Sequence, residues 1–191
     1  MSIFFTSDTH FFHKQIIQYC NRPWASVEDM NAGLIDAWNG RVKPEDRVYF
    51  IGDFSFAGPV PSGTIFNALN GEKHLIKGNH DHKVATRLSW ASVKDYDLIT
   101  PEIEYQDDDG EMKKFKQPIV LCHFPFISWD RMMHGSWHLH GHCHGNLADS
   151  GAMRMDVGVD VTKYAPIRLD EVQTYMALRS VVPVDHHVPK P

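Results

Sequence analysis

The stretch His74-Leu75-Ile76-Lys77-Gly78-Asn79-His80-Asp81 decides how this chain is read. Its first four residues predict a short buried strand, and the last four turn off that strand's C-terminal end. Gly78 permits close backbone approach, and Asn79, His80 and Asp81 can each meet a metal or a phosphate. Alone, the tetrapeptide reads equally well as an ordinary polar turn, because Gly, Asn and Asp all favour turns.

The neighbouring apolar runs add weight to the first reading. Residues 3–6 predict a strand that delivers Asp8-Thr9-His10, and 47–51 a second that ends in Gly52-Asp53. Residues 118–122 end in His123, and 137–140 end in Gly141-His142-Cys143-His144. Five predicted strands therefore finish in potential ligands. In open α/β sheets the loops beyond the C-terminal strand ends converge on one crevice. Residues two apart in extended backbone point the same way, which would pair Asp8 with His10 and His142 with His144, leaving Cys143 to pack. Carboxylate, imidazole and amide oxygen suit Mn, Fe, Zn or Ni better than calcium.

The rest of the chain supplies a frame. A short helix is expected around Ile16, Ile17 and Cys20. A better one is capped by Ser26, carries Val27, Met30, Leu34, Ile35 and Trp38 at helical spacing, and stops at Gly40. Residues 57–63 read as a Gly/Pro-rich loop, 64–69 and 82–90 as helices, and 93–100 as extended. Segments 102–105 and 111–115 flank Asp107-Asp108-Asp109-Gly110, a hairpin signal whose aspartates belong to a solvated turn and not to a metal. Residues 153–159 are expected to be extended, and Asp170 to begin a last helix with Val172, Tyr175 and Met176 inward. The reading is one domain over 1–182 and a loosely ordered tail over 183–191, with His186 and His187 exposed.

Composition narrows the classes. The 191 residues suffice for one sizeable core, and a net charge of -5 gives no footprint for extended nucleic-acid binding. Three cysteines without C-x-x-C spacing argue against a disulfide scaffold. No apolar run approaches membrane-spanning length and no leader pattern opens the sequence, so a cytoplasmic protein is expected.

Taken together and in order, Asp8-Thr9-His10, Gly52-Asp53, Gly78-Asn79-His80-Asp81, His123 and Gly141-His142-Cys143-His144 resemble the signature of the calcineurin-like metallophosphoesterase superfamily. Val157-Gly158-Val159-Asp160 also resembles the strand after the last motif in small bacterial and phage members. The resemblance implies an α/β fold, a four-layer α/β/β/α sandwich of two facing mixed sheets with outer helices. It further implies two divalent transition-metal ions, with Mn expected and Fe, Zn or Ni as alternatives. Asp8, His10 and His144 would hold one ion, Asn79, His123 and His142 the other, and Asp53 would bridge them. His80 would face the phosphate and Asp81 would hold the His80 ring, while Asn79 would also touch substrate.

The implied activity is hydrolysis of a small-molecule phosphate ester, with a nucleotide-type phosphodiester or cyclic nucleotide favoured. A phosphomonoesterase and a catalytically silent metal-binding scaffold are the alternatives. Degenerate scaffolds normally lose ligands, and none is missing here. Protein Ser/Thr phosphatases follow Gly-Asp with Asp-Arg-Gly and carry Glu after Asn-His, whereas this chain has Gly52-Asp53-Phe54-Ser55 and Asp81. A metallo-β-lactamase-type site needs H-x-H-x-D-H, and His80-Asp81-His82 lacks the upstream pair.

Other residues carry two readings. His13 is either a substrate contact or a surface histidine opening a helix. Residues 124–136 either wall the pocket, with Arg131 meeting phosphate, or form a packed Ω-like loop. His74, His82, His138 and His140 are taken as structural.

Overall fold

The computed structural model describes residues 1–81, 85–107 and 109–184. Strands β1 (Ile3–Thr6), β2 (Arg47–Phe50), β3 (Glu72–Ile76) and β4 (Ser92–Lys94) lie parallel and in that order, and β11 (Ile167–Arg168) pairs antiparallel on the outside of β1. A second mixed sheet has the order β10 (Arg154–Asp156), β9 (Trp137–His140), β8 (Ile119–Leu121) and β5 (Asp97–Ile99). The first three of these are parallel and β5 runs against them. The fold is thus α/β with two mixed sheets.

Why these strands read as continuous apolar runs follows from burial on both faces. With a side-chain period of two, Phe4, Val48, Phe50 and Leu75 point outward from the first sheet. Phe5, Tyr49, Ile51 and Ile76 point inward, against Ile119, Leu121, Leu139 and Met155 of the second. The outward set is covered by α2 (Val27–Asn39) and α3 (Pro59–Ala68). In α2 the Ser26 hydroxyl accepts the Asp29 N–H at 3.0 Å, and Met30, Leu34 and Trp38 recur every fourth residue on the buried stripe. Each such side chain contributes about 1.5–3 kcal/mol by burial. Trp38 also donates its indole N–H to the Asn70 carbonyl at 3.0 Å, so Trp38→Ala would cost roughly 3–5 kcal/mol.

The outer face of the second sheet is covered differently. Residues 124–136 run across it as a packed loop with a 3₁₀ turn at Met132–His134, and Trp129 and Met132 bury against Val120 and Ala152. The loop is closed by its own bonds: the Trp129 indole donates to the Ser136 carbonyl at 3.1 Å. Helix α4 (Leu169–Met176) sends Val172 and Met176 into the core between the sheets, with Tyr175 half-buried.

Several expectations are corrected. Of the Gly/Pro-rich stretch expected as a loop at 57–63, only 57 and 58 lie outside a helix and 59–63 open α3, because a proline at the start of a helix gives up only an N–H that has no partner there. Of the helix expected at 82–90, the described part is a single 3₁₀ turn at Ala85–Arg87, and 82–84, with His82, lie outside the described residues. The extended stretch 93–100 is two strands in two sheets: β4 closes the first and β5 opens the second, so the chain crosses between them at Asp95 and Tyr96. The hairpin forms as expected, β6 (Glu102–Gln106) against β7 (Met112–Lys116), in a sheet of its own. Asp107 accepts the N–H groups of Asp109 and Glu111 there, which is turn chemistry, and Asp108 is outside the described residues. The same holds for 185–191, where His186 and His187 fall. Short α1 (Lys14–Tyr19) follows β1.

Candidate metal centre

All the ligand-bearing segments leave the sheets at one rim. The two sheets touch there through a parallel bridge between Ser7 and Gly158, and the Asp8 and His10 N–H groups bond to the carbonyls of Gly52 and Asp53 at 2.9 and 3.1 Å. The backbone at the rim is not extended. Asp8, His10, Asp53, His142 and His144 all have φ between 47° and 69°, the left-handed region that side chains rarely occupy. Same-side alternation therefore does not apply, and the expected pairing of Asp8 with His10 by strand period is corrected: turns bring these side chains together. Each such residue costs on the order of 1 kcal/mol or more and persists only where its surroundings over-determine it.

The surroundings do so through close packing. A Cβ at Gly78 would lie 2.2 Å from Asp53 Oδ1, and one at Gly141 2.3 Å from Asp8 Oδ2. Only glycine lets these turns approach the carboxylates.

At the centre, Asp53 Oδ2 stands 3.6 Å from His10 Nε2 and 3.4 Å from His123 Nε2. Asp8 Oδ1 lies 3.7 Å from His10 Nε2 and 3.9 Å from His144 Nε2. The Asn79 side-chain oxygen is 3.1 Å from His123 Nε2. The His142 ring lies 5.2 Å from that of His123, and the His142 main-chain N–H donates to Asp8 Oδ2 at 3.0 Å. All seven expected ligands meet at the rim.

The hydrogen bonds behind these rings fix which atoms face inward. His123 donates Nδ1–H to the Ile51 carbonyl at 2.8 Å, so its Nε2 lone pair faces the oxygens of Asp53 and Asn79. His144 donates Nδ1–H to Asp160 at 2.7 Å, which leaves Nε2 toward Asp8. Among the described residues, neither ring nitrogen of buried His10 has a hydrogen-bond partner. With these rings neutral, lone pairs would converge on one another, and a buried acceptor without a donor is costly. This is a donor set that fits cations. Protons otherwise fill the role. Burial opposes it, yet the bond and charge of Asp53 and the charge of Asp8 raise His123 to about 9. Asp53, despite burial, is drawn down to about 2 by His123 and by the His80 N–H. Asp8 is likewise lowered against its burial by His10, His123 and His144.

Two braces hold the rim, and one was not anticipated. Arg22, 4% exposed, donates from Nε and Nη2 to Asp160 at 2.8 Å each, and from Nη2 and Nη1 to the carbonyls of Asp8 and Thr9 at 2.7 and 2.8 Å. It ties the first ligand loop to the carboxylate that orients His144. The second brace corrects an expectation. Asp81 accepts the N–H groups of Asp53, Phe54 and Gly78 at 2.7, 2.9 and 2.9 Å, so it fastens the Asp53 turn to the Gly78 turn and does not hold the His80 ring. Burial raises its pKa, offset in part by those three donors.

His80 is exposed at the mouth, its ring 5.7 Å from that of His10. His13 reaches the rim too, 5.7 Å from His10. Arg131 does not: it is exposed in a groove with Gln117 and Pro118, before β8 begins, at the end opposite His123. The expectation that it meets substrate at this rim is corrected, because 124–136 is spent covering the second sheet. His138 is structural, its Nε2 accepting the Phe126 N–H at 3.0 Å and burial pushing it down to about 3. His140 donates to the Gly141 carbonyl, and His74 meets Ser92 and Glu72. Cys20 lies beside His144 and Asp160, but burial and the Asp160 charge push its thiol up to about 11, and burial likewise raises Cys143.

Comparison with known proteins agrees with this geometry. Residues 1–156 match the model of the calcineurin-like phosphoesterase family. An uncharacterised protein of Methanocaldococcus jannaschii is 35% identical over 176 residues, covering 88% of this chain and 87% of its own. The gene 66 protein of Mycobacterium phage D29 is 29% identical over 196 residues, covering 90% and 94%. The crystal structure of a protein of unknown function from Aquifex aeolicus superposes with a TM-score of 0.65 at 25% identity, over 91% of this chain and 98% of that one. The chain belongs to the calcineurin-like phosphoesterase family, whose members are metal-dependent phosphoester hydrolases.

Proposed function

We propose that this family member hydrolyses a small nucleotide-type phosphodiester at a dinuclear centre of divalent transition-metal ions. The observation that carries the reading is the Asp53 carboxylate, one oxygen of which faces His10 on one side and His123 on the other. Asp8, His10 and His144 hold one ion in this reading, Asn79, His123 and His142 the other, and Asp53 both. The imidazole, carboxylate and amide donors favour Mn, with Fe, Zn and Ni next. When bound, two such ions supply Lewis acidity toward the phosphoryl group and toward water.

The protein's own residues do the remaining work. His80, at the mouth with its main-chain N–H on Asp53 Oδ1 at 2.8 Å, turns its ring to the phosphate in this reading and serves the leaving oxygen. Asn79 and His13 flank the substrate. Arg22, Asp160 and Asp81 hold the ligand turns in place, so little reorganisation is needed when charge develops. A diester is favoured because, among the described residues, the one arginine at the rim, Arg22, is committed to Asp160 and two carbonyls. A monoester dianion would call for a further cationic side chain. Residues 1–182 act as one domain in this reading, without a cap over the site, and a cytoplasmic setting suits the three free thiols.

Metal titration with Mn and Ni against bis-p-nitrophenyl and p-nitrophenyl phosphate tests the reading. Wild type should hydrolyse the diester faster, and His80→Ala and Asp53→Ala should lose turnover. A faster monoester reaction would overturn the diester assignment. Equal inactivity of all three proteins would favour a silent scaffold.

A further inference from the structure

With Asp81 engaged elsewhere, the His80 ring needs another support. Among the described residues, no side chain is hydrogen-bonded to that ring. It rests instead on Phe56, with ring centroids 4.7 Å apart and planes at 44°. Phe56 is itself stacked on His13, 4.1 Å away and nearly coplanar at 13°, and the Tyr19 ring stands edge-on to His13 at 6.3 Å. Four rings thus run in a row from α1 to the mouth of the site.

Phe56 is unusual where it is. It is a large apolar ring, 42% exposed, beside a cluster of carboxylates and imidazoles. Its main chain is fixed, since its N–H donates to the Phe11 carbonyl at 2.9 Å and Ser55 bridges to Phe11. It also touches His10, at 5.3 Å between centroids. An exposed histidine without a partner would sample several rotamers, and ring contacts of this kind restrict it.

We propose that Phe56, backed by His13, is the positioning residue for His80: it confines the imidazole to the rotamer that faces the leaving oxygen. The proposal rests on the reading of His80 given above. It assigns to an aromatic contact the task that a carboxylate was expected to perform. Phe56 touches no reacting atom in this scheme and acts only through the neighbouring ring.

The test compares Phe56→Ala, Phe56→Leu and Phe56→Tyr with His80→Ala and the Phe56→Ala/His80→Ala double variant, all metal-loaded, on aryl phosphodiesters of graded leaving-group acidity. A misplaced catalytic group typically costs up to 10²-fold. Phe56→Ala should lower kcat roughly tenfold with KM nearly unchanged, more for a phenyl than for a p-nitrophenyl leaving group, because the poorer leaving group depends more on His80. Phe56→Leu, which keeps bulk but not the flat face, should follow Phe56→Ala, and Phe56→Tyr should restore wild-type turnover. In the His80→Ala background, Phe56→Ala should have no further effect, since the two act as a unit. Metal content and far-UV circular dichroism should be unchanged throughout. Wild-type kcat in Phe56→Ala, or a loss that multiplies with that of His80→Ala, would overturn the positioning role while leaving His80 in place. Full activity in His80→Ala would instead overturn the reading beneath it.

Discussion

The two halves of the rim are built to different standards. Asp8 and His10 are buried, and their loop is clamped by Arg22, which also grips the Asp160 carboxylate that orients His144. On the other side only His123 is buried, held by a single carbonyl, while Asn79 and His142 are exposed. The first half is preorganised and the second is open. Asp53 belongs to both. If the proposed pair of cations binds here, the difference teaches that one position should be filled first and held longer, with the other left to exchange with solvent and to meet substrate.

Breaking the shared element should have the largest effect. Asp53→Asn removes the charge common to both halves, and kcat/KM on a diester should fall by roughly 10³-fold or more. Steady-state kinetics check this, and a loss below tenfold would mean that the halves work independently. Next comes His142→Ala, which strips a proposed ligand from the open half only. Affinity for the second ion should drop by at least ~10²-fold, since losing an outer partner alone can reach that. Mass-spectrometric metal analysis after dialysis should then find one ion per chain where wild type keeps two.

Asp160→Asn addresses the clamped half. It keeps the shape but weakens the acceptor for Arg22 and His144, and the tighter ion should bind about 10–100-fold more weakly by calorimetric titration. Equal weakening of both ions would erase the proposed asymmetry. The smallest effect at neutral pH belongs to His138→Gln, which removes a histidine that takes no part at the rim. His138 is held at about 3 against an ordinary 6.5, so the fold keeps it neutral while the unfolded chain takes a proton. Its contribution is complete above pH 6.5 and is lost as pH falls toward 3, by at most about 5 kcal/mol. Gln can still accept the Phe126 N–H, so the variant should match wild type within about 1 kcal/mol at pH 7 and resist acid better between pH 6 and 4, as read by urea melts.

The residues gathered at the rim were legible because each sits at a fixed offset from a short apolar run, and β1, β9 and α2 carry strong local patterns. What holds the ligands was not. Arg22 and Asp160 are 138 positions apart, and nothing local marks either as a partner. The left-handed turns were missed because Asp and His stand there without the glycine that usually advertises positive φ. Pro59 and Pro61 looked like loop formers because proline reads alike at a helix start and in a turn. A break between β4 and β5 is invisible when both sides favour extended backbone and only tertiary pairing separates them.

The hairpin carries a consequence for how such a chain could grow. Its two strands leave and rejoin the second sheet where the Gln117 N–H meets the Pro101 carbonyl at 2.9 Å, so a detour of any length begins and ends at one point. Among its described residues only Ile103 is buried in the core. Lineages that acquire an extra module, or engineers who wish to splice one in, would find in that hairpin an insertion port that leaves the pairing of the second sheet untouched.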